Sequence, residues 1–580
     1  MKSNLVKETF KNVIKDNLIV FLLLIIIIIG IVIISLLPPQ ILRKIIDEKL
    51  VPRDIEGLLL LSIAYLGTLI LIGIFDFLKE AILTILGQKF TKEIRMEMMK
   101  KLGRINSIFF SYNDSGSIVS RFTNDVDAIS SLFTSGIVSM LIDLFKIIGI
   151  LISIWIFSVR LGIIVLILLP IIYFIIRIFQ KSMLKAQIEN RILLGKLNNH
   201  ISESLKNIQM IKSFSKESYM EDNYKIYLLD NYRTMEKVNF YDSIFSPIIM
   251  IIRAIIIAIV AILSSKQLGY LGISVGMVAA SIELISNLLG PIQDLGMELQ
   301  SIQGAISGVY RVNEFYNEIE DDYKDNSLSA EILISDRNDI KLSFNNLSFY
   351  YEEGKEILED VNLKIQSQEK VAFIGRTGVG KSTLFKLILG LLKPSNGNIS
   401  INGVDVYSIP NSEKRKIFGY VDQNFNTING TVAEQVSLGD KSITKEQIQE
   451  AIDFVGLGDY VLSLENGYDT KMDNNLFSQG QKQLLAIARA IVTNPPILLL
   501  DEITANLDAI TEENIISVLQ KASDTRTILS ISHRLFSMIS CDTVVILENG
   551  KIKNSGSPEL LLKNDEWYRN HIELEKLTWR

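Results

Sequence analysis

A glycine-rich loop between an apolar strand and a helix is the first feature of this sequence that could do chemistry. The stretch KVAFIGRTGVGKSTLFKLILG places Gly375, Gly380, Lys381 and Ser382 at P-loop spacing. Glycines let backbone N–H groups turn toward phosphate oxygens, and the following helix N-terminus adds its positive dipole. The pattern predicts that Lys381 bridges the outer phosphates of a nucleotide and that Ser382 ligates Mg²⁺. The predicted phosphate-binding residues are Gly375, Arg376, Thr377, Gly378, Val379, Gly380, Lys381, Ser382 and Thr383.

Two adjacent carboxylates form the second candidate group. The stretch PPILLLDE reads as a buried strand that ends in Asp501 and Glu502. Asp501 can hold Mg²⁺, which leaves Glu502 to polarise an attacking water. An acidic turn with no chemical role is the alternative, and the P-loop upstream disfavours it.

The elements that must position these groups lie in the second half of the chain. Of the 580 residues, 48% are hydrophobic, and nearly all the long apolar runs precede residue 310. The sequence therefore predicts a transmembrane domain at 1–317, a polar linker at 318–338 and an α/β nucleotide-binding domain at 339–580.

A net charge of −6 argues against nucleic acid as a partner. The single cysteine, Cys541, cannot form a disulfide within one chain and is interpreted as a buried structural side chain.

Six apolar runs are long enough to cross a bilayer as helices. They lie at 17–39, where the first is predicted to end at Pro38 and Pro39, then at 57–77, 136–158, 161–179, 244–264 and 272–295. The lysine-rich segment before the first run fits a helix on the inner membrane surface. A cleavable signal peptide is the competing interpretation, but the run is too long and lacks a small-residue cleavage site.

An even number of spans puts both ends of the chain on one side, which the lysine-rich start places in the cytoplasm. The long stretches after spans two and four are helix-patterned with mixed charge, so these helices are expected to continue far beyond the membrane. The fold class expected is thus a bundle of six transmembrane helices with long cytoplasmic extensions, fused to an α/β P-loop domain.

Several charged side chains fall inside the apolar runs: Asp143, Lys146, Arg177, Arg253 and Glu283. Charge at membrane depth is costly, so these groups face a bundle interior or a wet cavity, or reach an interface. Arg177 is expected to reach the interface, whereas Asp143 and Glu283 are expected to face a central pathway. Asp143 and Lys146, three residues apart, could instead form an ion pair with no substrate role.

The order of motifs in the second half resembles the nucleotide-binding domain of an ATP-binding cassette (ABC) transporter. The motifs are the P-loop, VDQN, FSQGQ, LLLDE, NLD and SISHR. The family signature is usually Leu-Ser-Gly-Gly-Gln, and here Gln479 replaces the first glycine. The resemblance implies that two such domains sandwich two ATP molecules, with Ser478, Gly480 and Gln481 of one chain contacting the nucleotide held by the P-loop of the other.

The same resemblance assigns roles to four further residues. It implies that Tyr351 stacks on adenine, that Gln423 meets Mg²⁺ and the attacking water, that Asp508 belongs to the interface loop, and that His533 contacts the γ-phosphate. The implied Mg²⁺ ligands are therefore Ser382, Gln423 and Asp501, and the implied catalytic residues are Glu502, His533 and Gln423.

The first half resembles the transmembrane domain of type IV exporters, through FFSYNDSGSIVSRFTNDVDAISSLF and the sixth run with its continuation. Six spans and one ATPase in one chain is the layout of an exporter half-transporter. One departure is the segment KMDNNL before the signature, which is shorter than the family's and lacks its usual glutamate. No peptidase domain is expected before span one, which disfavours a leader-cleaving peptide exporter.

The function implied is ATP-driven export of a hydrophobic or amphipathic drug, lipid or peptide across the plasma membrane, by a dimer of half-transporters. A homodimer is favoured because Lys381, Glu502 and His533 are all present, and a heterodimer with a degenerate partner is the alternative. Two other functions remain open: an ATP-gated channel or regulator on the same scaffold, and a membrane-anchored ATPase. The abundance of Ile, Lys and Asn points to a low-GC bacterium, with a eukaryotic organelle as the alternative.

Overall fold

The structure is a computed structural model. In it the chain forms two compact units. The structure describes residues 4–54, 56–266, 274–321, 327–334, 339–352, 354–473, 475–503, 509–531 and 541–578. The helical unit comprises Met1–Arg104 and Asn113–Glu318, and the sheet unit comprises Ile105–Tyr112 and Ile319–Arg580. The short segment Ile105–Tyr112 therefore packs with the sheet unit although it lies within the helical part of the sequence.

The helical unit contains long helices, several of which exceed what a bilayer requires. They are α1 (Leu5–Asp16), α2 (Leu18–Ser35), α3 (Leu37–Lys44), α4 (Leu58–Leu102), α6 (Ser115–Ser120), α7 (Val126–Ser131), α8 (Val138–Phe157), α9 (Val159–Lys206), α10 (Ile208–Ser213), α11 (Glu217–Lys266) and α12 (Val275–Tyr316), with α5 (Ser107–Tyr112) in the sheet unit. Among the described residues, π-helical turns join or extend them at Ile45–Leu50, Arg121–Asp125 and Leu132–Ile137. The 45 residues of α4 extend about 68 Å, roughly twice the hydrocarbon thickness.

Six segments of the described residues are long and apolar enough to cross a membrane. They are Leu18–Leu50, Leu58–Leu102, Ser115–Phe157, Val159–Lys206, Glu217–Ile262 and Val275–Leu295. This confirms the predicted six spans and the predicted helical extensions. The first span was predicted to end at Pro38 and Pro39, and this is wrong. Both prolines lie at the start of α3, where a missing N–H breaks no helical bond, and the segment continues to Leu50.

The sixth span lies at the centre of the helical unit. In its most apolar 18-residue stretch 44% of the residues are buried, whereas in that of the second span only 6% are buried. Buried apolar side chains of α12, among them Leu284, Leu288 and Ile292, pack with residues of α8, α9 and α11 in one cluster. The other helices expose many large apolar side chains, as membrane helices do when lipid covers their outer face.

The described part of the sheet unit contains two sheets. Its strands are β1 (Leu342–Tyr350), β2 (Glu356–Ile365), β3 (Lys370–Ile374), β4 (Asn396–Ile401), β5 (Val404–Asp405), β6 (Phe418–Val421), β7 (Ile497–Asp501), β8 (Thr527–Ile531), β9 (Thr543–Glu548) and β10 (Lys551–Gly556). The antiparallel sheet has the order β2-β1-β4-β5, and the larger sheet has the order β10-β9-β3-β8-β7-β6. All strand pairs of the larger sheet are parallel except β10 with β9.

Helices cover these sheets and build a second apolar cluster around β7. They are α13 (Ala330–Leu333), α14 (Lys381–Ile388), α15 (Asn411–Ile417), α16 (Val432–Ser437), α17 (Lys445–Phe454), α18 (Gly458–Leu462), α19 (Gln479–Ile491), α20 (Ala509–Ser523), α21 (Pro558–Asn564) and α22 (Glu566–Thr578). Short 3₁₀ turns lie at Val406–Ser408 and Gly467–Asp469. The helical bundle together with this α/β unit confirms the predicted fold class.

The parallel pairing decides where the candidate chemical groups meet. In the larger sheet β8 lies between β3 and β7, with Ile531 paired to both Phe373 and Asp501. The P-loop follows the carboxyl end of β3, and Asp501 ends β7 with Glu502 directly after it, so both groups emerge at one edge of the sheet. Ligands of open α/β sheets bind at this edge.

The segment Ile105–Tyr112 is attached to the sheet unit by backbone and side-chain contacts. Ile105 forms an isolated antiparallel bridge with Glu320, and the Asn106 N–H donates to the Ile319 carbonyl at 3.1 Å. Ile108 packs against the main apolar cluster of the sheet unit. Part of the segment FFSYNDS that resembles an exporter coupling segment is therefore built into the sheet unit.

Candidate functional site

The P-loop adopts a backbone conformation that only glycine tolerates well. Gly375 has φ +152° and Gly380 has φ +104°, and a Cβ on Gly375 would lie 2.4 Å from the Leu547 carbonyl oxygen. Gly378 has φ +86°, yet a Cβ there would meet no atom within 4 Å. The loop therefore packs closely against the sheet at both ends and leaves its middle open, as a phosphate cradle requires.

Lys381, the first residue of α14, points back into this loop. Its Nζ donates to the carbonyl oxygens of Gly375 at 2.7 Å and Arg376 at 3.2 Å, and the residue is buried. Burial lowers the pKa of the Lys381 ammonium, and the nearby carboxylates of Glu502 and Asp501 oppose this shift. The charge of a buried ammonium that contacts only two neutral carbonyls is stabilised by an anionic partner. Lys381 is therefore suited to bind a phosphate group.

Asp501, at the end of β7, lies in a group of carboxylates. Burial raises its pKa to about 6, and repulsion from Glu502 and Asp422 adds to the shift, while the Ser382 hydroxyl donates to Asp501 and Lys381 opposes it. A divalent cation would relieve this repulsion. The hydroxyl of Ser382 and the carboxylate of Asp501 are hard oxygen ligands, so the residues present fit Mg²⁺, which keeps several waters and needs few protein ligands.

Glu502 has an unusual backbone for its residue type. Its φ is +45°, in the left-handed region, and its N–H donates to the Ile531 carbonyl at 3.1 Å. A non-glycine residue in this region costs on the order of 1–2 kcal/mol. Its carboxylate accepts a hydrogen bond from Gln423 Nε2 at 3.1 Å. The strained backbone thus holds the carboxylate beside Gln423, and strain at such a position is typical of functional sites.

Two residues beside this carboxylate group were missed by the sequence analysis. The Tyr420 hydroxyl donates to Asp422 at 3.3 Å, and burial together with Asp422 and Asp501 raises the pKa of Tyr420 above its ordinary value. Gln483 is buried on α19, and its Nε2 donates to the Gln423 carbonyl at 2.8 Å. Their closeness in sequence to VDQN and FSQGQ was the only signal that could have pointed to them.

Arg489 holds the segment that follows Gln423. Its guanidinium donates to the carbonyls of Gln435 at 2.7 Å and Asn426 at 3.1 Å and lies 4.3 Å from the Phe425 ring centroid. Burial lowers the pKa of Arg489 to about 10, with repulsion from Arg415 adding to the shift. Nothing in the local sequence marked this residue, because its partners lie in α16 and in the loop before it, which only the fold brings beside α19.

Tyr351, the candidate for stacking on adenine, lies beside the P-loop helix. Its hydroxyl is 3.4 Å from Thr383 Oγ1, and its ring packs edge-on against Phe349 at 4.9 Å between centroids. The ring is half-buried, so one part of it is held by the protein and the rest is accessible. This position fits a base platform next to the phosphate loop.

The signature residues build a helix N-terminus. Ser478 caps α19: its Oγ accepts from the Gln481 N–H at 3.2 Å, and its own N–H donates to Gln481 Oε1 at 2.9 Å. A Cβ on Gly480 would lie 2.0 Å from Thr511 Cγ2, so this position excludes any other residue without a shift. Gln479 is exposed in the first helical position, where a side chain meets no such obstacle.

The structure brings some predicted site residues together and leaves others apart. The P-loop, Asp501, Glu502 and Gln423 form one connected group. Among the described residues, no hydrogen bond joins Ser478 or Gly480 to the loop 375–383. Asp508 and His533 lie outside the described residues.

Cys541 differs from its sequence interpretation in one respect. It is half-buried rather than buried, yet burial still raises the pKa of its thiol to about 12. The group therefore remains a neutral structural thiol at physiological pH.

Comparison with known proteins extends these observations to the whole chain. The family model described as "ABC transporter transmembrane region" matches residues 17–292, and the one described as "ABC transporter" matches residues 358–505. Relatives include an ATP-dependent lipid A-core flippase of Syntrophus aciditrophicus, 27% identical over 92% of this chain and 88% of that protein. A lactococcin transport/processing ATP-binding protein LcnC-like of Lactococcus lactis is 27% identical over 92% of this chain and 74% of that protein.

A solved structure shares the fold along nearly the whole length. The structure of a bacterial Atm1-family ABC exporter with ATP bound matches with a TM-score of 0.78 and 22% identity, over 96% of this chain and 99% of that one. Both family models describe ABC transporters, and they occur here in one chain with six candidate spans and a P-loop domain. The chain therefore belongs to the ABC transporter family, as an ATP-hydrolysing multi-pass membrane protein with the layout of an exporter half-transporter.

Proposed function

We propose that the chain exports a hydrophobic or amphipathic substrate across the plasma membrane, as one half of a dimer that alternates between inward-facing and outward-facing states. The observation that carries this proposal is the connected group of Lys381, Asp501, Glu502 and Gln423 in a chain that also has six candidate spans. The sheet unit would lie in the cytoplasm, where ATP is available.

Each residue of this group has its own role in ATP hydrolysis. Lys381 binds the outer phosphates, and Glu502 accepts a proton from the attacking water at its carboxylate. Gln423 holds that carboxylate through the 3.1 Å bond and keeps it oriented toward the water. Ser382, Asp501 and Gln423 would hold Mg²⁺, which when bound neutralises charge on the phosphates.

A second copy supplies the signature in this proposal. Ser478 and Gly480 present a capped helix N-terminus whose own hydrogen bonds stay within α19. Such a terminus attracts a phosphate, and the positive end of a helix dipole completes the charge balance around the γ-phosphate. A homodimer is the simpler assembly because Glu502 and Lys381 are both in place, so that each copy offers an intact P-loop side.

The test of this assembly is the ATPase activity of the chain purified without any other subunit. Ser478→Ala should lower this activity at least tenfold if the signature completes a working site, since a charge-assisted contact is lost in the reacting complex. Loss of a helix cap alone costs about 0.5–2 kcal/mol, so a matched control is needed. Thr444→Ala removes the corresponding capping box of α17, between Thr444 and Gln447, and should leave turnover within about twofold.

Two results would contradict the proposed homodimer. If Ser478→Ala hydrolyses ATP as fast as the unmodified chain, the signature does not complete a site and the homodimer is wrong. If the unmodified chain is inactive alone and becomes active with a second subunit, a heterodimer replaces it.

Export itself is tested by uptake into inside-out vesicles, which expose the sheet unit to added ATP. The relatives include a lipid flippase and a lactococcin transporter by name, so the panel should contain lipids, peptides and hydrophobic ions. ATP-dependent accumulation against a gradient is expected, and it should be lost in Glu502→Gln. A channel cannot concentrate its permeant, so equilibration without accumulation would favour the gated-channel alternative.

A further inference from the structure

Three carboxylates gather in the helical unit from helices that are far apart in sequence. Asp143 lies on α8, near the beginning of that helix, while Asp294 and Glu298 lie four residues apart on one face of α12. Glu298 interacts electrostatically with both Asp143 and Asp294, and Asp143 interacts with Asp294. We call these three residues the acidic cluster.

The positive charges around the acidic cluster do not balance it. Lys146 interacts with Asp143 and Asp294, but no such interaction ties it to Glu298. Lys79 of α4 also reaches Asp143, but its Nζ lies 3.2 Å from Asp76 and so already has a partner. In the part of the chain that the structure describes, no ion pair within 4.0 Å joins Lys146 to Asp143. The acidic cluster therefore retains an excess of negative charge.

Glu298 is the member of the acidic cluster whose buried carboxylate lacks a hydrogen bond at one oxygen in the described part of the chain. The residue is only 7% exposed, yet its Oε2 has no hydrogen-bond partner within the described structure. A buried carboxylate oxygen without a partner is costly, because desolvation is not repaid by a hydrogen bond. Such an atom, in a residue that interacts electrostatically with two other carboxylates, would gain from a positively charged ligand from outside the chain.

The geometry favours an organic cation over a metal ion. Among the described residues, no group of three or more Asp, Glu, His and Cys side chains is close enough to hold a metal ion. The three carboxylates are therefore too far apart to bind one metal ion together. Asp143 and Asp294 lie within candidate membrane spans, so a molecule that binds there must combine positive charge with hydrophobic surface.

We propose that the acidic cluster of Asp143, Asp294 and Glu298 is the charge-recognition site for the transported substrate, and that this substrate is an amphipathic organic cation. The inference rests on the proposed export function, which it makes more specific. The carboxylate of Glu298 supplies the buried counter-charge, and Asp294, exposed in the single chain, supplies the accessible one.

The test compares two ions of similar size and hydrophobicity but opposite charge, tetraphenylphosphonium and tetraphenylborate. Their binding to the full chain in phosphatidylcholine nanodiscs is measured by equilibrium dialysis, with protein-free nanodiscs subtracted. The cation should bind and the anion should not. Glu298→Gln, which keeps the shape of the side chain, should raise the Kd for the cation about tenfold, as the loss of one desolvated charge interaction does.

A matched control and a second variant keep this test decisive. Glu236→Gln removes the same charge from an exposed position on α11 and should leave the Kd unchanged. If Glu298→Gln fails to fold, Asp294→Asn changes an exposed group and should also weaken cation binding severalfold. Equal binding of the two ions, no binding of the cation, or a Kd unaffected by the substitutions that fold, would each overturn the acidic cluster as a cation site.

Failure of the proposed function has a different signature. If the cation binds and Glu298→Gln weakens its binding, but ATP drives no accumulation of any probe in vesicles, then export is wrong and the cation site stands. If ATP drives accumulation of neutral or anionic probes while the cation does not bind, export stands and the substrate class is wrong.

Discussion

The nucleotide-binding edge of the sheet unit and the acidic cluster of the helical unit both bury charged groups, but they do so in opposite ways. At the sheet edge, Lys381 has two carbonyl partners, and Glu502 has Gln423. In the acidic cluster, Glu298 has a buried oxygen with no partner among the described residues. A site for a ligand of fixed shape is organised by the protein in advance, whereas a site that recognises a charged, variable ligand leaves part of its charge for that ligand to satisfy.

The two regions also differ in how far apart in the sequence their residues lie. The P-loop is one continuous stretch between β3 and α14, and the carboxylates of Asp501, which ends β7, and Glu502 are adjacent in the sequence. The acidic cluster draws on position 143 of α8 and positions 294 and 298 of α12, which are about 150 positions apart in the sequence. Motifs can therefore reveal the first region, while only packing reveals the second.

The largest expected effect is at the sheet edge, because that region is organised around one reacting water. Glu502→Gln should lower ATP turnover by roughly 10²- to 10⁴-fold while ATP still binds, since Lys381 and Asp501 remain and only the proton acceptor is lost. Steady-state phosphate release from the purified chain, together with nucleotide retention, measures both properties.

The matched control for this variant is Glu465→Gln, an exposed carboxylate of the same unit, which should leave turnover unchanged. Near-normal hydrolysis by Glu502→Gln would contradict this prediction, because the sheet edge would then bind the nucleotide without Glu502 accepting the proton.

The next prediction concerns the close packing of the signature helix at Gly480, which is compared with the close packing of the P-loop. Gly480→Ala should cost about 1–3 kcal/mol of stability and reduce ATPase activity, because its Cβ would meet Thr511 Cγ2 at 2.0 Å. Thermal unfolding and turnover of the variant measure the two losses.

The double variant Gly480→Ala with Thr511→Ser removes that methyl group and should recover most of both losses. Gln479→Gly changes an exposed neighbour and should cost less than about 1 kcal/mol. Equal damage from Gln479→Gly and Gly480→Ala would mean that packing against Thr511 does not decide this region.

The carboxylate of Asp501 should make the binding of Mg²⁺-ATP depend on pH. The pKa of Asp501 is about 6, and the ionised form is the one that accepts Mg²⁺. Binding of Mg²⁺-ATP should therefore be strong above pH 6 and weaken as the pH falls through 6, by roughly tenfold between pH 7 and pH 5. An aspartate with its ordinary value of 3.8 would show almost no change in this range.

Titration calorimetry of the chain with Mg²⁺-ATP at each pH measures this effect. Asp501→Asn in the same series accounts for the titration of ATP itself and should show a flatter dependence. The same slope in both proteins would assign the dependence to the nucleotide and leave Asp501 unperturbed.

The smallest expected effect concerns backbone strain at Glu502. Glu502→Gly should be more stable than Glu502→Ala by about 1 kcal/mol, because glycine tolerates φ +45° and alanine does not. The melting temperature of the sheet unit should therefore be about 2 to 4 °C higher for the glycine variant.

The same pair of substitutions at Glu465, whose φ is not positive, should show no such gain for glycine. If alanine proved the more stable replacement at position 502, the left-handed backbone would carry no strain, and the sheet edge would not be the more constrained of the two regions.

The sequence alone determined those features that depend on local patterns. The lengths of the apolar runs predicted six spans, and the P-loop spacing and the LLLDE strand predicted the α/β unit, because helix length and strand-to-helix turns follow from neighbouring residues. The first span was the exception, since Pro38 and Pro39 begin a helix instead of ending one.

Which distant side chains meet depends on how the whole chain packs. The 3.1 Å bond from Gln423 to Glu502, the contact that makes Gly480 necessary, and the gathering of Asp143 with Glu298 all join residues more than thirty positions apart. Their sequence neighbours carry no sign of these partners, because parallel strand order and helix packing, which depend on the whole chain, place them side by side.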